Sequence, residues 1–433
     1  MTPSARISAA IEVMADIDAH RRPAADALKD WGLSHRFAGS GDRAAIAGLV
    51  YDALRRRSSA AHVMGEETPR GIVLGMLKLE RAYDADAIND LFSGARFAPS
   101  PLSAPERQRL EQGSLADAAP PVAGDYPEWL DPHLARSFGD ARAEEAAALA
   151  RRAPLDLRAN TLKAERAAVQ QDLAHLGVTP TRWSPVGLRI ELSFTSKNPA
   201  VQSEPSFIKG AVEVQDEGSQ VAALVSGAQP GETVIDLCAG AGGKTLALAA
   251  MLNRKGQIYA TDLDKRRLAP IHERLTRAGA SNVEVRTPKS FDDTTTVDDL
   301  AGKADLVLID APCTGTGTWR RNPDAKWRMR PGALEQRVKQ QVEVLDRAVA
   351  LVRPGGRIAY ITCSVLADEN EDQVAAFLAR HSGFAEAAAD LAVLGSRAEE
   401  FRAATPSRGA GRLMTPRRTG TDGFFVSLLR RNS

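Results

Sequence analysis

The sequence predicts an α/β protein in three parts: an all-helical N-terminal region, a small α/β piece, and a C-terminal parallel sheet with helical crossovers. Three observations carry this reading. From about residue 5 to residue 95 apolar residues recur at helical spacing, as Ile7, Ile11, Val13 and Met14 do. Between Pro127 and Leu192 short alternating runs flank a helical stretch. From Gly210 onward short apolar strands alternate with helices, the pattern of a crossover-connected parallel sheet. The boundaries expected are 1–124, 125–205 and 206–433.

Composition narrows the class. A chain of 433 residues accommodates two to three domains of roughly 150 residues each. Hydrophobic and charged fractions of 43% and 26% are those of an ordinary globular protein. No apolar run approaches the ~20 residues of a membrane span, and MTPSARISAA lacks a signal-peptide core, so a cytoplasmic protein with no membrane partner is expected. Cys238, Cys313 and Cys363 cannot form a disulfide framework, and no CxxC or Cys/His cluster suggests a metal site. A net charge of +1 argues against wholesale electrostatic coating of nucleic acid. Local clusters still count: Arg320, Arg321, Lys326, Arg328 and Arg330 lie close together, and the segment after residue 400 is rich in arginine. Charge alone leaves a solvated face and a phosphate-binding patch equally open.

Taken in order, Ser40-Gly41-Asp42 reads as the N-cap of a helix running on through Ala45 to Tyr51. Phe97 to Asp125, with Pro99, Pro101, Pro105, Pro120 and Pro121, reads as a linker or irregular crossing. Leu155 to Asn160 alternates like a strand, a helix follows to Leu176, and Gly187 to Leu192 is a further strand. In the C-terminal part the strands expected are Thr233–Leu237, Gln257–Thr261, Val283–Arg286, Leu306–Ile309 and Arg357–Ile361, with a helix over Leu246–Leu252.

The stretch ADLVLIDAPCTGTGTWRRNPDAKWR, from Ala304 to Arg328, organises the rest. Leu306 to Ile309 is continuous rather than alternating, as in a buried parallel strand, and ligands in such sheets sit beyond the carboxyl ends of the strands. Asp310 and Cys313 then stand at the rim of a site. Pro312 offers no amide hydrogen and restricts Ala311, so the chain leaves the ladder there and places the thiol on a stiff turn. Free cysteine is often simply buried. A second thiol in the same situation, Cys363 at the end of its own apolar strand, points instead to chemistry.

Cys238-Ala239-Gly240-Ala241-Gly242-Gly243-Lys244-Thr245 is a glycine-rich loop that lets backbone approach a ligand and opens a helix. It is not a phosphate loop of the nucleotide-hydrolase kind, because Cys238 stands where that pattern needs its first glycine. Asp262, roughly twenty residues on and at the end of the next strand, is where a ribose-binding acid belongs in a nucleoside-cofactor fold. The loop itself leaves a dinucleotide and S-adenosylmethionine both open. The thiols separate them. Carbon-5 of cytosine is a poor nucleophile and becomes reactive when a thiolate adds to carbon-6; dinucleotide oxidoreduction has no such need for two thiols.

DLCAGAGGKT, DAPCTGTG and YITCSVLADENE, in that order, resemble the Sun/Fmu (RsmB-like) RNA cytosine-5 methyltransferases. PEWL, LRANTLK, VQDEGSQ, LVRPGGR and Asp422-Gly423-Phe424-Phe425 extend the resemblance over nearly all of 125–433, and Asp42 to Arg55 resembles a NusB-like helical domain. The resemblance implies a Rossmann-like S-adenosylmethionine-dependent methyltransferase domain, preceded by a small α/β domain and an all-helical NusB-like, RNA-binding domain. It further implies that Cys363 attacks carbon-6, that Cys313 helps release the product, and that Asp310 holds the polar edge of the cytosine near the cofactor. Cys238, Ala239, Gly240, Ala241, Gly242, Gly243 and Lys244, with Asp262, would surround S-adenosyl-L-methionine, Cys238 packing in the loop rather than reacting. The implied substrate is RNA, small-subunit ribosomal RNA above transfer RNA, acted on by a cytoplasmic monomer that uses no metal. A non-catalytic RNA-binding factor retaining the fold is the rival from another class.

Two departures from the pattern stand out. Ala241 occupies a position where the family usually has proline, and Lys289 falls where an adenine-side Asp is common, with Asp292 or Asp293 as substitutes one slip away. In DNA cytosine methyltransferases the Pro-Cys thiol is the expected nucleophile, which would reverse the roles of Cys313 and Cys363. Thr362-Cys363-Ser364 with Asp368-Glu369-Asn370-Glu371 favours the RNA arrangement. Because a free thiol has a pKa of about 8.5, thiolate formation needs help, for which Lys244 and the Arg320-Arg321 pair are candidates. A duplexed base cannot reach such thiols, so the target should lie in a loop or be flipped out. Trp319 and Trp327, interleaved with arginines, are open between base stacking and packing.

Overall fold

The computed structural model describes residues 1–192, 199–291 and 293–433. Its contacts divide the chain into two compact units, one formed by Met1–Arg152 with Trp319–Arg330, the other by Ala153–Thr318 with Pro331–Ser433.

The first unit is helical. Helices Pro3–His20, Ala24–Ser34, Ser40–Arg55, Arg57–Met64 and Pro69–Leu79 pack around Ile7, Met14, Ile46, Val50, Ile72 and Met76. Thr2 and Thr68 cap two of them, their hydroxyls accepting from the Ala5 and Gly71 amides, with proline in the first turn where no amide hydrogen is missed. The cap expected within Ser40-Gly41-Asp42 falls one residue earlier: Gly39 is the N-cap, and Asp42 lies in the first turn, where it pairs with Arg6 and the N-terminal ammonium. The expected linker is also more ordered than its prolines suggest. It contains the helix Ala104–Gln112, started by a capping box in which Ser103 and Glu106 satisfy each other's amides, and Leu110 is buried in the core.

Within the segment Trp319–Arg330 the basic cluster divides: Arg320 and Lys326 are packed inside this helical unit, whereas Arg328 and Arg330 are exposed. Trp319 and Lys326 are each 1% exposed. The Trp327 indole donates to the Leu54 carbonyl at 2.7 Å, Lys326 Nζ to the Arg55 carbonyl at 3.1 Å, and Arg55 Nη2 to the Arg320 carbonyl at 2.7 Å. For both tryptophans packing is the reading that holds, and Lys326 is no solvated charge.

Burial pushes the Lys326 ammonium down to about 7; nearby Asp125 offsets part of this, while Arg55 and Arg56 add to it. The folded state therefore holds this proton less tightly than the unfolded chain, whose lysines titrate at about 10.4. Stability gained from this site should rise with pH between about 7 and about 10. The thermal midpoint is expected to climb from about pH 7 to about pH 9 in the wild type and to climb less in Lys326→Met; identical slopes would refute the assignment.

Among its described residues the second unit holds two sheets. In the smaller, strands β1 (Leu155–Ala159), β2 (Thr179–Pro180), β3 (Gly187–Ile190) and β4 (Val212–Val214) run antiparallel in the order β2-β3-β1-β4. The larger contains β5 (Thr233–Asp236), β6 (Gln257–Ala260), β7 (Val283–Val285), β8 (Ala304–Asp310), β9 (Val352–Thr362), β10 (Phe384–Ala387), β11 (Arg412–Met414) and β12 (Phe424–Arg431). Its order is β10-β12-β9-β8-β5-β6-β7, with β11 beside β12. Strands β5 to β9 are parallel, as the alternation of elements predicts. Strand β12 inserts antiparallel beside β9, so the sheet is mixed; the chain reaches it from β11 through the short helix Pro416–Thr419. The buried faces of Val234, Ile258, Leu306, Leu308, Ala359 and Val426 form its core. No helix among the described residues is long and apolar enough to cross a membrane.

Candidate active site

Strand β5 has β6 on one side and β8 on the other, so connections leaving it and β8 diverge and open a crevice at their carboxyl ends. Into this crevice project the loop after β5, the end of β6, the turn after β8 and the end of β9. A cavity of about 250 Å³ lies there, lined among others by Gln215, Ala239, Gly240, Lys244, Arg267 and Asp310.

The loop from Cys238 to Gly242 is shaped by glycines where the backbone requires them. Gly242 has φ +85°, and a Cβ there would stand 2.5 Å from Ile271 Cγ1. The helix Gly243–Leu252 starts immediately after, three residues earlier than its apolar pattern suggests, since Gly243-Lys244-Thr245 forms its first turn. Beneath the loop, Asp236 is fully buried. Burial pushes its carboxyl up to about 7, against the Thr245 hydroxyl, which donates to it at 2.7 Å. Its Oδ1 has no hydrogen-bond partner among the described residues. Ala241 leaves its carbonyl to accept from Arg274 Nη1 at 2.7 Å, so the loop is held from outside at the position where proline is expected.

Asp262, past the end of β6, ties itself to the loop: Oδ2 accepts from the Gly240 amide at 3.0 Å and Oδ1 from the Asp264 amide at 2.9 Å. Each oxygen keeps a lone pair for a further donor, which is what a ribose hydroxyl supplies. Cys238 lines the same cavity, its thiol held up mainly by burial and further by Asp262, Asp236 and Asp310. A thiol so disposed stays neutral and packs.

The two remaining cysteines meet. Cys313 Sγ lies 3.3 Å from Cys363 Sγ, because β8 and β9 are adjacent parallel strands and each thiol follows its strand's end by one to three residues. The Cys313 thiol is pushed well up, first by its hydrogen bond with Cys363 and then by burial. Asp310, between the cavity and the thiol turn, forms an ion pair with Lys244 at 2.7 Å. Lys244 is nearly buried and also lies 5.0 Å from the Phe424 ring centre. This cation is thus committed to Asp310 and the ring rather than to a sulfur.

Sequence reasoning passed over several residues here. Gln215 and Ser219 line the cavity from the segment VQDEGSQ, and Arg267 and Arg274 line it from beyond β6. Gly423 backs the thiol turn: its amide donates to the Gly317 carbonyl at 2.8 Å, and a Cβ on Gly317 would stand 2.1 Å from the Gly423 carbonyl oxygen. Asp293 is occupied locally, its carboxylate accepting from the Lys289 amide and from both amide and hydroxyl of Thr295. Asp292 lies outside the described residues. No cluster of three or more His, Cys, Asp or Glu suited to a metal ion is found among the described residues.

Comparison with known proteins then decides the family. Residues 223–430 match the 16S rRNA methyltransferase RsmB/F family, and residues 126–195 match the ferredoxin-like domain of RsmF/B-like methyltransferases. A probable ribosomal RNA small subunit methyltransferase B of Synechocystis is 33% identical over 71% of this chain and 67% of its own length. The Vibrio cholerae ribosomal RNA small subunit methyltransferase B is 32% identical over 74% of this chain and 69% of its own. The chain belongs to the RsmB/F family of ribosomal RNA methyltransferases.

The large sheet of this RsmB/F chain is accordingly the Rossmann-like methyltransferase fold, with S-adenosylmethionine the methyl donor that fold and family imply. The crystal structure of PH0851 superposes with a TM-score of 0.72 at 26% identity, covering 100% of this chain and 99% of that one. The structure of NSun6 from Pyrococcus horikoshii with SFG superposes with a TM-score of 0.60 at 23% identity, over 71% of this chain and 98% of that one, a likeness of fold.

Proposed function

We propose that the protein transfers a methyl group from S-adenosylmethionine to carbon-5 of a cytosine in RNA, small-subunit ribosomal RNA being the substrate class. The observation that carries this reading is the pair of sulfurs 3.3 Å apart beside the Lys244–Asp310 ion pair. One pyrimidine ring laid over them offers carbon-6 to one sulfur and the carbon-5 hydrogen to the other. The cavity suits the donor. Asp262, tied to the loop, has acceptor capacity left for ribose hydroxyls, and the loop 238–242 brings bare backbone to the cavity. When bound there, S-adenosylmethionine would supply an electrophilic methyl group.

Cys363, as thiolate, adds to carbon-6, and the electron pair of the 5,6 double bond moves to carbon-5 and the ring, making carbon-5 nucleophilic. Asp310, held by Lys244, receives the polar edge of the base and fixes its orientation. After methylation Cys313, its own proton released to solvent, takes the carbon-5 proton as thiolate; those electrons re-form the double bond, the bond from sulfur to carbon-6 breaks, and Cys363 leaves as thiolate. The Cys313 thiol is pushed up in the free enzyme, first by its hydrogen bond with Cys363. Once Cys363 is consumed in a bond to carbon that contribution disappears, so Cys313 loses its proton more readily at the stage when it is needed as a base.

Labelled methyl donor offered with small ribosomal subunits, naked small-subunit RNA or transfer RNA tests the reading. Label is expected in small-subunit RNA and, after hydrolysis, in 5-methylcytosine. Label in transfer RNA alone overturns the substrate, and label in no RNA overturns the activity.

A further inference from the structure

The two thiols are held by unequal means. Cys363 directly follows β9, whose last residues are paired with β12 on one side and β8 on the other. Its carbonyl accepts the Gly317 amide at 2.9 Å, and the Asn370 side chain donates to the Ser364 carbonyl at 2.9 Å. Cys313 stands three residues beyond β8 with no ladder around it. Its flanking peptide groups are gripped by two buried side chains. Gln341 Nε2 donates to the Pro312 carbonyl at 2.9 Å, just before the thiol, and to Glu369 Oε1 at 3.1 Å. Glu369 Oε1 accepts the Thr314 amide at 2.8 Å, just after the thiol, and Oε2 accepts the Thr314 hydroxyl. Glu369 and Gln341 are both fully buried. The Glu369 carbonyl is itself fixed by the Tyr360 hydroxyl at 2.6 Å, on the strand that carries Cys363.

We propose that Glu369 and Gln341 are positioning residues that set the place of Cys313 relative to Cys363, and that their loss slows release of the methylated base rather than formation of the adduct. This rests on the roles given to the two thiols above. Both hold Cys313 through the Pro312 and Thr314 peptide groups, and Glu369 also bonds the Ser364 hydroxyl beside Cys363 and helps to raise the Cys313 thiol. A displacement of about 1 Å at a reacting group costs on the order of 10²-fold in rate.

The test uses the full-length chain with small-subunit RNA and methyl donor, reading steady-state turnover and the fraction of enzyme held in an RNA adduct that survives denaturing electrophoresis. Glu369→Ala and Gln341→Met are expected to lower turnover on the order of 10²-fold while the adduct fraction rises. Glu369→Gln should stay within a few-fold of wild type, because one amide oxygen can still accept from Thr314 and Gln341 while its NH₂ donates to the Thr314 hydroxyl. If Glu369→Ala gives no cooperative thermal transition, Gln341→Met decides; Oε1 of Gln341 has no hydrogen-bond partner among the described residues, so only its donor is lost. Turnover that falls without a rise in adduct, or that is unchanged in both variants, overturns the inference. Cys313→Ala separates the two levels. Should it trap adduct while the positioning variants do not, only this inference fails; should it trap none, the thiol roles fail and the inference with them.

Discussion

Replacing Cys363 by alanine is expected to lower methyl transfer to RNA by at least about four orders of magnitude, since it deletes the group that opens the reaction. Replacing Cys313 is expected to give a different failure: carbon–sulfur bond formation and methylation proceed, but elimination stalls and protein stays attached to RNA through denaturation. The expectation follows from the 3.3 Å separation, which leaves room for two roles on one ring. Gel mobility under denaturing conditions, with labelled RNA, checks both. Adduct accumulating in Cys363→Ala and not in Cys313→Ala would reverse the two roles.

Lys244→Met should produce the second large effect. The wild-type ammonium lies 2.7 Å from Asp310 and is 6% exposed, so the pair is shielded from water on one side. Methionine keeps most of the volume and leaves the carboxylate without its cation beside the reacting centre. Removing one such electrostatic contact commonly costs about 10²- to 10³-fold in turnover. Turnover at saturating methyl donor and RNA should fall by that order with the thermal midpoint little changed. Activity within a few-fold of wild type would mean that the ion pair is structural only.

The strands that bear the site were legible because a buried parallel strand is a short apolar run with an abrupt polar end. Thr233 to Leu237 and Leu306 to Ile309 fall within a residue or two of the observed elements for that reason. The glycine loop was legible because positive φ selects glycine. What holds the thiol turn was not. Glu369 is marked in the sequence only as part of Asp368-Glu369-Asn370-Glu371, with no role, and Gln341, 28 residues earlier, carries no spacing signal that would join it to Glu369. The Arg/Lys cluster after Thr318 divided, Arg320 and Lys326 going inside and Arg328 and Arg330 staying exposed, because charge in a string does not tell which side chains the chain will bury. Ser40-Gly41-Asp42 missed the cap by one residue for a simpler reason: Gly39 already supplies the extended residue, and the Asp42 carboxylate finds two cations instead. The capping box at Ser103 was present in the residues and was outweighed by the neighbouring prolines.

Twelve residues from the middle of the second half, Trp319–Arg330, are built into the helical unit. Cutting the gene near Arg152 would therefore not yield two self-sufficient halves. The amino-terminal fragment would lack Trp319 and Lys326 from its interior and keep a gap where they belong, while the carboxyl-terminal fragment would expose a tryptophan-bearing loop to water. Dissection of this protein by truncation should give aggregation-prone pieces, and mixing them would be expected to restore solubility only by bringing the loop back to its place.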